Sequence, residues 1–170
     1  MSALESGCVF DQDRIYRYRL VREPWGEGPP CLFVMLNPST ADETKDDPTV
    51  RRCIGYARRW GHGQLAVCNA FALRSTDPFH LYEVADPVGP ENNRWIRETA
   101  EAVTRAHGRV IAAWGLLGDL GYRDAAIRSL LRPVADLWCL RRSTRTGAPL
   151  HPLYLPGALE PIIYSARVLP

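Results

Sequence analysis

Four short apolar runs, each separated from the next by a stretch of helical period, constrain this chain more than any other feature. They are Cys31 to Leu36, Gln64 to Asn69, Arg109 to Trp114 and Asp136 to Leu140. A run of this length reads as a strand buried on both faces, which requires helices on both sides of the sheet. Between the runs the pattern predicts three helices. One spans Pro48 to about Trp60, opened by a proline that a first turn tolerates and ended by Gly61 and Gly63. Another spans about Glu91 to His107, with Trp95, Thr99, Ala102, Val103 and Ala106 on one side, and a third lies near Tyr122 to Leu131. This alternation implies an α/β fold, a three-layer α/β/α sandwich around a mainly parallel four-stranded sheet. Arg14 to Arg22 alternates apolar and basic residues as a half-exposed strand does, and adds an extra N-terminal strand. A chain of 170 residues fits one domain, residues 1–170, and it carries no internal repeat or linker.

The first apolar run stops abruptly in Leu36-Asn37-Pro38-Ser39-Thr40-Ala41-Asp42. Pro38 has no N–H and biases Asn37 toward extended geometry, so the strand ends and the Asn side chain stays at the mouth of the sheet. In a parallel sheet the carboxyl ends of the strands lie along one edge, where ligands bind. That edge would gather Asn37, Ser39 and Asp42, then Asn69, Phe71 and Arg74, then Trp114 and Gly115, and finally His151. Asp42 and Arg74 aside, the set is polar and uncharged, with one titratable imidazole. It has no serine elbow with a Ser–His–Asp order, no phosphate-cradling glycine loop and no paired carboxylates, which argues against ordinary hydrolase and kinase chemistry. It suits the reading of a nucleobase. Each residue also has a plainer role: Asn69 capping a turn, Phe71 and Trp114 in the core, and His151 as a turn histidine before proline.

Charge and cysteine usage narrow the partners. The net charge is only +2, yet twenty Arg stand against the single Lys45. Arg suits planar recognition of phosphates and bases, although a genome rich in G and C produces the same excess. Arg51, Arg52, Arg58 and Arg59 crowd one predicted helix, and Arg141, Arg142 and Arg145 crowd one late loop. The two clusters point to a nucleic acid or a nucleotide; a solvated surface is the alternative. The five Cys form no C-x-x-C pair and the four His lack ligand spacing, so no metal and no cofactor are expected. Reduced, buried thiols and the lack of a leader-like N-terminus suit a cytoplasmic protein, and no apolar run approaches the roughly 20 residues of a membrane span. The oligomeric state is left open.

The order of motifs resembles the uracil-DNA glycosylase superfamily. Leu36-Asn37-Pro38-Ser39 follows a strand, a second strand ends in Asn69, a third runs into Ala112-Ala113-Trp114-Gly115, and His151-Pro152 comes last. The likeness covers about Cys31 to Leu155, with Met35, Ser39 and Leu153 departing from the usual motif residues. The combination of LNPSTAD with GAPLHPLY also looks like a family of small bacterial and phage proteins of unassigned function. The superfamily resemblance implies a DNA glycosylase-like hydrolase that releases a modified or damaged base. Asn37 would orient the attacking water, Asn69 would read the base edge and His151 would donate to the base carbonyl. Ser39, Asp42, Phe71 and Trp114 would surround the base, with Asp42 reinforcing Asn37 and Phe71 stacking on the ring. Leu153 and Tyr154 would fill the vacated stack, and Arg141, Arg142 and Arg145 would touch phosphates of DNA rather than RNA. The alternative is a module of the same fold that binds nucleic acid or a nucleotide without catalysis.

Overall fold

The computed structural model describes residues 4–168. Seven strands form one sheet: β1 (Gly7–Phe10), β2 (Arg17–Val21), β3 (Pro30–Met35), β4 (Gln64–Asn69), β5 (Arg109–Ala112), β6 (Leu137–Cys139) and β7 (Ile162–Ser165). Their spatial order is β1-β2-β4-β3-β5-β6-β7. Three helices connect them: α1 (Pro48–Arg59), α2 (Asn92–Arg105) and α3 (Arg123–Leu131). None is long and apolar enough to cross a membrane.

The two-sided burial read from the apolar runs has a direct counterpart in β3. Alternate residues feed two separate cores, because successive side chains point to opposite faces. Leu32 and Val34 join Ala66, Cys68, Val110 and Ala112 beneath α2 and α3, which contribute Ile96, Ala100, Val103, Ile127 and Leu131. Cys31, Phe33 and Met35 join Leu65, Val67 and Ile111 beneath α1, which contributes Val50, Cys53, Tyr56 and Ala57. Asp47 starts α1: its Oδ1 accepts from the Val50 N–H at 2.8 Å, and Pro48 occupies the first turn.

The α/β class is as expected, but the sheet is larger and more mixed than the sequence indicates. Strand β3 pairs in parallel with β4 and β5, and β5 with β6. Strands β1 and β2, β2 and β4, and β6 and β7 pair antiparallel. The expected mainly parallel sheet of four strands plus one is therefore corrected to seven strands with as many antiparallel as parallel ladders among the described residues. The two missed strands, β1 and β7, have four residues each and no buried residue, too short and too open for a periodic signal. The expected half-exposed strand at Arg14 to Arg22 is also corrected. Its β2 portion lies between β1 and β4, and only Arg19 of its five residues escapes full burial.

Candidate functional site

Strands β3 and β4 stop together, with Met35 opposite Asn69, and the chain diverges beyond them in two loops. The loops are stitched to each other by the first turn. The Ser75 N–H donates to the Pro38 carbonyl at 2.9 Å, and Asn37 Nδ2 donates to the Ser75 carbonyl at 2.9 Å and to that of Pro38 at 3.3 Å. Two carbonyl acceptors fix which end of the amide is NH₂, and Asn37 Oδ1 has no protein partner among the described residues.

Strand β2 runs opposite to β4, so it begins at the edge where β4 ends. The Arg17 N–H donates to the Ala72 carbonyl at 2.9 Å, which places the first residue of β2 beside the chain leaving β4. The Arg17 side chain is 2% exposed. Its Nη1 donates to the Ala41 carbonyl at 2.8 Å and its Nη2 to Asn69 Oδ1 at 3.4 Å, while Nε is buried without a partner. Burial lowers the pKa of this guanidinium from its ordinary value, and the Cys8 thiol and Asp47 oppose the shift. The Asn69 backbone carbonyl accepts from Asn92 Nδ2 at 2.9 Å, which anchors the end of β4 to the start of α2.

His151 enters from the last polar segment. It caps a short 3₁₀ turn, Pro152–Tyr154, and its Nδ1 accepts from the Leu153 N–H at 3.3 Å. A ring nitrogen that accepts there leaves the proton of the neutral imidazole on Nε2. Burial lowers the His151 pKa below 6.5 against the opposing charge of Asp47, so the ring is neutral near pH 7. Gly115, at φ +75°, lies where a Cβ would meet the His151 Cβ at 3.6 Å, so the turn after β5 packs beside the start of the His151 side chain.

These segments enclose a cavity of about 460 Å³ at the carboxyl ends of β3 and β4. Small-molecule sites run from roughly 300 to 1,000 Å³. Asn37, Ser39, Asn69 and His151 all line the cavity, with Leu153 and Tyr154 beside them. Tyr154 is 92% exposed. Six residues expected at the site are elsewhere. Asp42 closes its own loop, accepting from the Thr44 and Lys45 N–H groups at 2.9 and 2.8 Å, which hold its carboxyl below the ordinary range. Phe71 (2% exposed) and Trp114 (1%) are packed in the core beneath α2 and α3, because the chain beyond each strand is still covered by those helices. Neither Arg141 nor Arg145 lines the cavity; both are exposed, without side-chain partners among the described residues. Arg142 Nη2 donates to the Ile163 and Tyr164 carbonyls at 2.7 and 2.9 Å, which ties the loop to β7 instead of leaving the charge for a phosphate.

The helical arginines are also committed within the protein. Arg51 Nη1 donates to the Asp46 carbonyl at 2.7 Å, Arg52 to that of Leu155, Arg58 stacks on Trp25 at 4.9 Å and Arg59 pairs with Glu160 at 3.7 Å.

Two charged groups in the cavity wall, Arg17 and Asp47, are absent from the uncharged set read from the sequence. Asp47-Pro48-Thr49 carries the signature of a helix N-cap, which places Asp47 at the start of α1 but not its second carboxylate oxygen. For Arg17 the strand pattern holds no signal, because alternation cannot tell a solvated arginine from one turned into a cavity. Among the described residues no group of three or more His, Cys, Asp or Glu could hold a metal ion. The wall thus combines the amides of Asn37 and Asn69, the His151 imidazole, the Arg17 guanidinium and the Asp47 carboxylate. No curated protein and no solved structure matches the chain. Residues 17–153, which contain every residue of the cavity wall except Tyr154, match the family described as "Protein of unknown function (DUF1643)", and the chain belongs to that family.

Proposed function

We propose that the cavity receives a nucleobase and that the protein hydrolyses the N-glycosidic bond of a modified or damaged base in DNA or in a nucleotide. One observation carries this reading: Asn37, Asn69 and His151, far apart in sequence, line one cavity large enough for a base. In this reaction water adds to the sugar C1′ and the bond to the base breaks, its electron pair leaving with the base. Asn37 Oδ1, held by the two bonds its Nδ2 makes, accepts a hydrogen bond from the water and orients it. Asp47 is the acceptor in the wall able to take the proton that a neutral amide cannot. Negative charge growing on the base carbonyls meets the Asn69 and His151 N–H donors. Leu153 and the exposed Tyr154 stand where an apolar wedge would occupy the space an extruded base leaves.

The test is release of base from a panel of modified oligonucleotides, duplex and single-stranded, and from the matching nucleosides. Abasic product is expected from at least one substrate, and Asn37→Ala and His151→Ala are each expected to slow its release by on the order of 100-fold or more while the circular dichroism spectrum stays unchanged. Unchanged product in both variants would overturn the mechanism. A second reading, binding without catalysis, is favoured by the bond from Val50 to Asp47, because capping α1 is a sufficient reason for that carboxylate. It expects salt-sensitive binding with no abasic product from any substrate.

A further inference from the structure

The cavity wall holds two opposite charges, and the protein matches only one of them. The Asp47 carboxylate caps α1: its Oδ1 accepts from the Val50 N–H at 2.8 Å, at the helix end that carries partial positive charge. The Arg17 guanidinium has neutral partners alone. Its Nη1 donates to the Ala41 carbonyl at 2.8 Å and its Nε is buried with no partner. Its Nη2 reaches Asn69 Oδ1 only at 3.4 Å, longer than the usual range for such a bond. No carboxylate pairs with Arg17 among the described residues.

The groups whose charge bears on Arg17 do not supply the missing partner. Arg22 is matched by Asp46 at 2.6 Å, and Arg74, a second positive charge, donates to the Arg14 carbonyl at 3.1 Å. Burial raises the pKa of the Cys8 thiol, which keeps it neutral near pH 7. The other deeply buried arginine shows what a satisfied one looks like. Arg123 donates from Nε to the Ala70 carbonyl and from Nη2 to Asn93 Oδ1, both at 2.6 Å, and it lies outside the cavity wall. Arg17 lies in that wall, 2% exposed, with no short bond from Nη2. A buried cation costs a fold heavily unless something pairs with it, and the open side of this one is the cavity.

We propose that Arg17 is the cationic wall of an anion subsite, and that the ligand of the cavity carries a carboxylate that accepts from Arg17 Nη2. Ser39 and Asn69, in the same wall, offer neutral donors for the second oxygen. One negative charge balances the guanidinium, whereas a doubly charged phosphate would exceed it and face Asp47. The inference goes beyond the base-pocket reading and does not need it, because the anion can sit against Arg17 whatever the rest of the ligand is.

Formate and formamide test it, a carboxylate and its neutral isostere. A ¹⁵N-resolved NMR titration of the full chain at pH 7 and fixed ionic strength follows Arg17 Nε and the Asn69 side-chain amide. Formate is expected to give a saturable shift with a dissociation constant in the millimolar range, the scale open to a ligand of three heavy atoms. Formamide should bind about tenfold more weakly or worse. Inorganic phosphate should also bind more weakly than formate, and tighter binding of phosphate would overturn the carboxylate assignment. Arg17→Met keeps the bulk, removes the charge and should abolish the formate shift at Asn69. If that variant does not fold, Asp47→Asn carries the test: it keeps an oxygen for the Val50 N–H, removes the opposing charge and should tighten formate binding. Unchanged or weaker affinity there would count against the subsite. Equal responses to formate and formamide, no response to either, or formate binding that survives Arg17→Met would overturn the inference, and a purely structural Arg17 gives the second of these. Formate binding without binding of any base leaves the subsite standing and the base pocket fallen; base binding without formate binding does the reverse.

Discussion

The turn after β3 and the loop after β6 leave the same edge of the sheet, and both are rich in polar residues, yet only one builds a cavity wall. In the first, Asn37 ties itself to a neighbouring loop by its NH₂ and keeps its oxygen unpaired. In the second, Ser143 N–H donates to the Ala148 carbonyl, Gly147 N–H to that of Ser143, and Arg142 to β7. The loop satisfies itself, and its remaining charges, Arg141 and Arg145, project into solvent. The contrast indicates that polarity at a strand end marks a site only where the local turn cannot satisfy its own polar groups.

Substitutions can be ranked against that contrast. Phe71→Ala removes a core ring just behind the cavity and is expected to lower unfolding free energy by about 3–5 kcal/mol, as large core truncations do. Chemical denaturation measures this; a variant of native stability that loses base binding would restore Phe71 to the stacking role. His151→Ala is expected to slow base release by on the order of 100-fold, about 3 kcal/mol of barrier, with single-turnover kinetics as the readout. Asp47→Ala should lose about 1 kcal/mol of stability as an N-cap. Asp47→Asn retains an oxygen for the Val50 N–H, so a loss of turnover in that variant with stability kept would assign the carboxylate to chemistry rather than capping.

Acid sensitivity follows from the imidazoles. Burial lowers the pKa of both His62 and His151 below 6.5 in the folded protein. The unfolded chain therefore binds more protons as pH falls below 6.5, and stability drops until the pH passes the folded-state values. Thermal unfolding between pH 7 and 5 should show the drop, and His151→Gln should flatten part of it. The smallest effect is reserved for the loop after β6. Arg141→Ala with Arg145→Ala should change stability by less than about 0.5 kcal/mol. If those side chains meet phosphates, the same pair should lower the salt slope of oligonucleotide binding by about one per contact removed.

Much of this was readable before any coordinates. The apolar runs located β3 and β4 within a residue, and Pro48 marked the start of α1, because burial on both faces and the tolerance of proline in a first turn are local properties. Asn37 and Asn69 were legible as strand-end residues on one edge of the sheet, and His151 as part of the polar segment that follows the last buried strand. Arg17 was not, because its place depends on β2 pairing antiparallel with β4 and so starting where β4 stops, a tertiary fact. Phe71 and Trp114 were misplaced for a related reason. Position after a strand does not say whether a helix still covers the chain there, and α2 and α3 cover both.

The decisive observation is a ¹⁵N-resolved NMR titration of the full chain with uracil and hypoxanthine, following the side-chain amides of Asn37 and Asn69 and the Nε2 of His151. All three signals should move together and saturate at one ligand concentration. Shifts confined to the loop of Arg141 and Arg145, or no shift at any of the three positions with either base, would contradict a shared base pocket.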